Sequence, residues 1–356
     1  MENLLDRKRR EFRVVGLVLF EVAAGLLVSR ILAQLLSGVI GDTMLDVVFS
    51  LLMQVGFLLV GPFLIYKFCL KRSALGVLEL SNVRKPNPFI MLLCLPLGVC
   101  CIITTMGVSM IWLLILMAFG YTPGSSAPLP EQFSLGLLFL NLFLTAVLPA
   151  ICEEFTNRGG LVTAFRGSFT EGRAIVLCGL AFGLFHQNIT QFFYTFLFGM
   201  LMATLVIKTK SIFPGVLVHF LNNGISVYLD FAEAYTLPLG GFFDGIKNMI
   251  MNNFGLAVLL WLMVTAAGVG IVFAILCIAR DDRRKKYGWG EKKPVTDVFS
   301  EDEEDIAVSD SGDEKPSEPL ADKVLYKPVL RDWAFYIGAL VMTALTTVLT
   351  FLWGVI

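Results

Sequence analysis

Charge is scarce in this chain. Lys, Arg, Asp and Glu make up 16% of its 356 residues against 56% hydrophobic residues, where a soluble globular protein usually carries about 25% charged residues. That shortage, with a mean hydropathy of +0.76, excludes an ordinary soluble domain and marks an integral membrane protein. Net charge is −1, so overall charge implies no nucleic-acid partner. The seven cysteines all lie in or at the edges of apolar segments, which excludes a disulfide framework or a metal knuckle and leaves small packing residues. No A-x-A-like cleavage site follows the first apolar run, and that run is too long for a signal-peptide core; it reads as a retained first helix. No internal repeat is visible. Rarest of all is histidine: the chain has two, His186 and His219, both inside apolar segments.

What is abundant is long apolar runs. A spanning helix needs about 20 mostly apolar residues. Nine segments qualify or nearly so: 12–36, 45–66, 88–119, 133–165, 174–190, 191–207, 211–229, 255–279 and 333–355. The third is long enough to tilt or kink near Pro96 and Gly98. Loop charge alternates across them: one set of loops holds 24 basic residues and the other holds one, Lys247. Basic loops stay cytoplasmic. The expected fold is therefore an all-α, polytopic bundle of about nine spans, in the plasma membrane, with the N-terminus cytoplasmic and the C-terminus extracytoplasmic. Five regions follow: N-terminal spans over 1–132, a core of segments four to seven over 133–229, an extracytoplasmic loop and the eighth segment over 230–286, a linker over 287–331, and a C-terminal span over 332–356. The linker carries Glu301-Asp302-Glu303-Glu304-Asp305 and then SDSGDEKPSEP. Such an acidic, Ser/Pro-containing stretch cannot bury a core and is expected to be a disordered cytoplasmic tether, with Ser309 and Ser311 as candidate phosphorylation sites. Asn188-Ile189-Thr190 fits a glycosylation sequon but falls in a very short turn between helices.

Ionisable residues inside a bilayer each cost roughly 2.5–3.5 kcal/mol on insertion scales. Three core segments hold five of them: Glu153, Glu154 and Arg158 in AICEEFTNRGG, His186 in LAFGLFHQNIT and His219 in VLVHFLNN. Glu154 and Arg158 are four apart and share a helix face, so they can pair. Glu153 then points about 100° away, free for a general base's task. His186 lies four residues after Phe182, and Asn223 four after His219, each pair on one face. Counted from the cytoplasmic helix ends, Glu153, His186 and His219 lie 12, 12 and 8 residues deep, which is roughly 12–18 Å at the helical rise. The three groups can therefore share one stratum.

In that order on successive helices, E-E-x-x-x-R, F-x-x-x-H and H-x-x-x-N resemble the CPBP family of CAAX prenyl proteases and bacteriocin-processing or self-immunity enzymes. The motifs read Glu153-Glu154-Phe155-Thr156-Asn157-Arg158, Phe182-Gly183-Leu184-Phe185-His186 and His219-Phe220-Leu221-Asn222-Asn223. Arg158-Gly159 and Ser211-Ile212-Phe213-Pro214 resemble the family's flanks. The likeness covers about 133–229, and Asn157 departs from it where the family often has Phe.

The resemblance implies an intramembrane endopeptidase that hydrolyses a peptide bond of a membrane-anchored or prenylated peptide near the cytoplasmic face. Glu153 would activate water with help from His186. His219 and Asn223 would hold the oxyanion, and Glu154 and Arg158 would keep Glu153 in place. Two His and a Glu are also a legitimate zinc set, so Glu153, His186 and His219 are candidate ligands of a divalent metal such as zinc, although no H-E-x-x-H occurs and metal-free activation is equally consistent. Membrane lipid and a lipidated or membrane-bound peptide are the expected partners. Two other classes remain open on the residues alone: a proton-coupled transporter, since membrane Glu and His mark proton relays, and a non-catalytic immunity or scaffold membrane protein.

Overall fold

The computed structural model describes residues 4–36, 39, 41–124, 133–235, 237–287 and 325–355. They are helical almost throughout, with no strand among them. In chain order the helices are α1 (Leu4–Leu36), α2 (Met44–Cys69), α3 (Ala74–Leu80), α4 (Pro88–Ala118), α5 (Leu135–Ser168), α6 (Glu171–Phe185), α7 (Ile189–Thr209), α8 (Phe213–Tyr235), α9 (Gly240–Asn252), α10 (Phe254–Tyr287) and α11 (Ala334–Val355). Seven of the described elements are long and apolar enough to cross a membrane: α1, α2, α4, α5, α7, α10 and α11 with the turn that opens it. The polytopic helical bundle thus holds. Two of the nine expected segments are helices that fall short by that measure. α6 is too short at 15 residues, and α8, at 23 residues, is too polar. They are the two helices that carry the histidines.

Two apolar clusters organise the bundle. One gathers Phe12, Val18, Tyr66, Leu161, Phe165, Cys178, Val206 and Tyr336 from α1, α2, α5, α6, α7 and α11. The other gathers Ile90, Leu97, Phe182, Met202, Leu205, Val218 and Ile275 from α4, α6, α7, α8 and α10. Phe182 and Met202 belong to the second, so α6 and α7 contribute to both cores and form the wall between them. α4 runs unbroken through Pro96, and Gly98 lets it meet α8: a Cβ there would stand 2.6 Å from Leu221.

Two helices are locally widened. α2 is π-helical over Leu52–Val60, and α5 over Phe143–Val147 and again over Phe155–Leu161. π-turns shift the backbone ladder by one residue and free carbonyls for other donors. Here those carbonyls are taken: Thr156 Oγ1 donates to Leu58 O at 2.6 Å, and Asn82 Nδ2 donates to Arg158 O at 3.2 Å. Asn82 itself sits at φ 56°, and its carbonyl accepts from Ile212 N at 3.0 Å. The bend after α3 therefore ties the acid-bearing turn of α5 to the start of α8.

The last helix is integral to the bundle. Asp332, whose side chain is fully buried, accepts from Arg13 Nε at 2.5 Å and from Arg9 Nε at 3.4 Å. It also accepts from Val329 N at 2.9 Å and from the Tyr326 hydroxyl. Tyr336 donates to Phe12 O at 2.8 Å, and Phe12, Phe165, Phe169, Trp333 and Tyr336 form an aromatic cluster. Of the expected linker 287–331, residues 288–324 lie outside the described residues, with Ser309 and Ser311 among them. From Leu325 onward the chain is packed, because Tyr326 N donates to Gly167 O at 2.8 Å and its ring meets Phe12.

Candidate active site

Glu154 and Arg158 are both 0% exposed, and removing such charges from water costs several kcal/mol each unless they are partnered. Their partners are each other and a histidine. Arg158 Nη1 lies 3.2 Å from Glu154 Oε1, as the four-residue spacing anticipates. The same oxygen lies 3.0 Å from Nδ1 of the buried His219. A carboxylate only accepts, so Nδ1 carries the hydrogen, and Nε2 is left as the working nitrogen of the ring. Glu154 is thus a bridge from α5 to α8. Gly215 makes the approach feasible, since a Cβ there would stand 2.9 Å from Glu154 Oε2. Gly159 does the same on the other side of the turn, where a Cβ would meet Ser81 at 2.7 Å.

Phe182 is the hub of the site. The Arg158 guanidinium lies 4.0 Å above its ring, while His186 and His219 meet the ring edge-on at centroid distances of 4.7 and 5.9 Å. A desolvated cation over an aromatic face contributes about 2 kcal/mol, which helps offset the burial of Arg158. One side chain therefore sets the spacing of the cation and both imidazoles.

His186 closes α6. Its Nδ1 lies 2.8 Å from the carbonyl of Phe182; a carbonyl accepts, so Nδ1 donates and, in the neutral ring, Nε2 is the acceptor. The turn behind it is pinned from three other helices. Gln187, at φ 48°, presents its carbonyl to Arg30 Nη2 at 2.9 Å. Trp112 Nε1 donates to Ile189 O at 2.6 Å, and Ile189 N donates to Thr350 Oγ1 at 3.0 Å. Asn188 of the sequon spends its side chain on capping α7, accepting from Thr190 N at 3.0 Å.

Glu153 behaves differently from its neighbour. It is half-buried, and Oε1 accepts from Gln54 Nε2 at 3.0 Å. Its backbone carbonyl accepts from Asn157 Nδ2 at 2.9 Å. His186 lies within electrostatic range of Glu153, and also of His219 and Arg158. Five of the six expected site residues are therefore drawn together, but with one redistribution: Glu154 and Arg158 brace His219, and Gln54 braces Glu153. Asn223, the sixth, is half-buried and turned to other partners. Its Nδ2 donates to Thr145 O at 3.0 Å, and its Oδ1 accepts from Asn222 Nδ2 at 3.1 Å.

The proposed metal set does not form. Among the described residues no three His, Cys, Asp or Glu side chains are grouped so as to hold a metal ion. Glu153 is drawn to Gln54 and His219 to Glu154, so the trio Glu153, His186 and His219 is not a ligand set in this geometry.

Residues 135–225 match the family model described as type II CAAX prenyl endopeptidase Rce1-like. This core is similar to that of the CAAX prenyl endopeptidases. The matched stretch contains Glu153, Glu154, Arg158, His186, His219 and Asn223. No curated protein and no solved structure matches the chain. The Rce1-like core is thus α5 to α8, while α1, α2, α4, α10 and α11 surround it with apolar helices.

Gln54 is the residue that motif reading passes over, since it lies in α2, outside the Rce1-like core. Its only sequence signal is being the sole amide in LLMQVGFLLV. Its Oε1 is buried and makes no hydrogen bond among the described residues. As a positioning residue it is expected to matter for turnover more than for stability. Gln54→Leu is expected to lower kcat about 10- to 100-fold, with KM nearly unchanged and a stability loss near 1 kcal/mol, typical of one hydrogen bond. Parallel kinetics and denaturant melts check this; an unchanged kcat would remove Gln54 from the site.

Proposed function

We propose that this protein is an intramembrane endopeptidase that hydrolyses a peptide bond in a prenylated, CAAX-type or otherwise membrane-anchored peptide. The observation that supports it most is the division of labour between adjacent acids. Glu154 is consumed in holding His219 and Arg158, whereas Glu153 stays half-buried, within electrostatic range of an imidazole whose Nε2 is the acceptor. That is the arrangement a water-activating pair needs.

In this reading a water molecule lies between Glu153 and His186 Nε2. Its proton passes to this pair as its oxygen bonds to the scissile carbonyl carbon. His219, protonated on Nε2 and held through Nδ1 by Glu154, donates to the oxyanion; such a donor is typically worth about 10²–10³ in rate. The proton held by the pair then passes to the departing amine nitrogen as the C–N bond breaks. Asn223 is a second candidate donor through its remaining N–H. Substrate enters from the cytoplasmic side, the side of the basic loops.

The test is to incubate the purified, full-length protein in detergent with a farnesylated peptide ending in a CAAX sequence, and with its unlipidated twin, in ¹⁸O-water. A new C-terminus carrying one ¹⁸O, formed from the lipidated peptide, is expected. Absence of cleavage of either peptide, alongside substrate uptake into vesicles, would overturn the peptidase reading in favour of transport.

A further inference from the structure

A cavity of about 370 Å³ opens at the basic end of the bundle, apart from the acid–histidine site. Seven Lys and Arg side chains line it against two carboxylates, Glu11 and Glu79. The cations come from separate helix ends: Arg7 opens α1, Arg72 follows α2, Arg84 precedes α4, Arg166 closes α5, Lys210 follows α7 and Arg283 lies in the last turns of α10. Glu11 is already spent on Arg72, at 2.5 Å. Arg7, Arg84 and Arg283 make no ion pair among the described residues. A concave wall with an excess of one charge sign concentrates counter-ions, and this one carries seven cations against two carboxylates.

Three features narrow the ligand. The volume is at the lower end for small-molecule sites, which suits a compact anion. Most of the cations are arginines, whose forked donors match phosphate oxygens two at a time. Most of the lining residues stand at the ends of helices long and apolar enough to span a bilayer, so the cavity lies at headgroup level, where basic pockets between helices take phosphorylated lipids. We propose that this cavity binds the phosphorylated headgroup of an anionic phospholipid. The proposal is independent of the peptidase reading.

The full-length protein, purified in a neutral detergent, would be titrated with short-chain phosphatidylinositol phosphate, with short-chain phosphatidylcholine and with free inositol phosphate, and bound lipid counted by native mass spectrometry. Retention of the anionic lipid at least about ten times that of phosphatidylcholine is expected, falling steeply with salt. The double variant Arg84→Ala/Arg283→Ala, neither residue touching the acid–histidine site, is expected to lose about tenfold in retention with its melting temperature unchanged. Equal retention of both lipids, or undiminished retention by the variant, would overturn the proposal. Displacement by free inositol phosphate at concentrations equal to the lipid's would uphold the anion site but assign it to a soluble phosphate. The chain's own run Glu301–Asp305 is the rival anion. If lipid binds only after those five acids are changed to amides, the cavity belongs to that run and the lipid proposal fails.

Discussion

Glu153→Gln is expected to lower peptide cleavage by about 10²–10⁴-fold, the contribution of a positioned general base, while leaving the protein folded. The amide keeps the shape of the carboxyl and can still face Gln54, but it cannot take a proton from water. Because Glu153 is half-buried and stands outside the Glu154–Arg158–His219 set, its replacement leaves no buried charge unpaired. KM should therefore hold while kcat falls, and the melting temperature should stay within a few degrees. Steady-state kinetics on the farnesylated peptide decide it. Wild-type kcat in the variant would mean that His186 Nε2 alone carries the proton, or that the base lies elsewhere.

Glu154→Ala makes the opposite prediction, a large loss of stability together with activity. Arg158 would be left fully buried with no carboxylate, and Nδ1 of His219 with no acceptor. Breaking a buried pair by removing one member typically costs 3–5 kcal/mol, so the variant is expected to unfold at markedly lower denaturant. The double variant Glu154→Ala/Arg158→Leu removes the stranded charge as well. It is expected to recover part of that loss, with a coupling of about 0.5–3 kcal/mol in the double-mutant cycle, yet to remain inactive because His219 is still unbraced. Additive losses would show that the two residues do not act as a pair, and an active double variant would show that His219 needs no acceptor.

The contrast between the two acids shows what a linear sequence can carry. The Glu154–Arg158 pair is legible because both lie on one helix, four apart. The Glu154–His219 bond is not, since it joins α5 to α8 across a crossing that Gly215 allows, and no local period encodes a crossing. Assigning Glu154 to brace Glu153 was the natural reading of neighbours on one turn; the widened turn beginning at Phe155 and the reach of α8 send it to His219 instead. Gln54 is invisible for the same reason, being a partner from a helix outside the motifs. The long apolar spans were readable from composition alone. The amphipathic α9 and the short α3 were not, because neither is long or apolar enough to stand out. Of the two alternatives left open, a metal set and metal-free activation, the first finds no grouped ligands among the described residues: residue types suited to zinc occur in the right helices, but their side chains are engaged with Gln54, Phe182 O and Glu154.

The buckle at Asp332 has a consequence for how the chain can vary. By fastening α11 to Arg9 and Arg13 of α1, it fixes the returning end at Tyr326 and Gly167 whatever precedes it. Loop-closure entropy grows only logarithmically, about 0.6 kcal/mol for each doubling of length. The docking of Leu325–Val355 on α1 and α5 therefore costs nearly the same whatever the length of chain that joins α10 to Leu325.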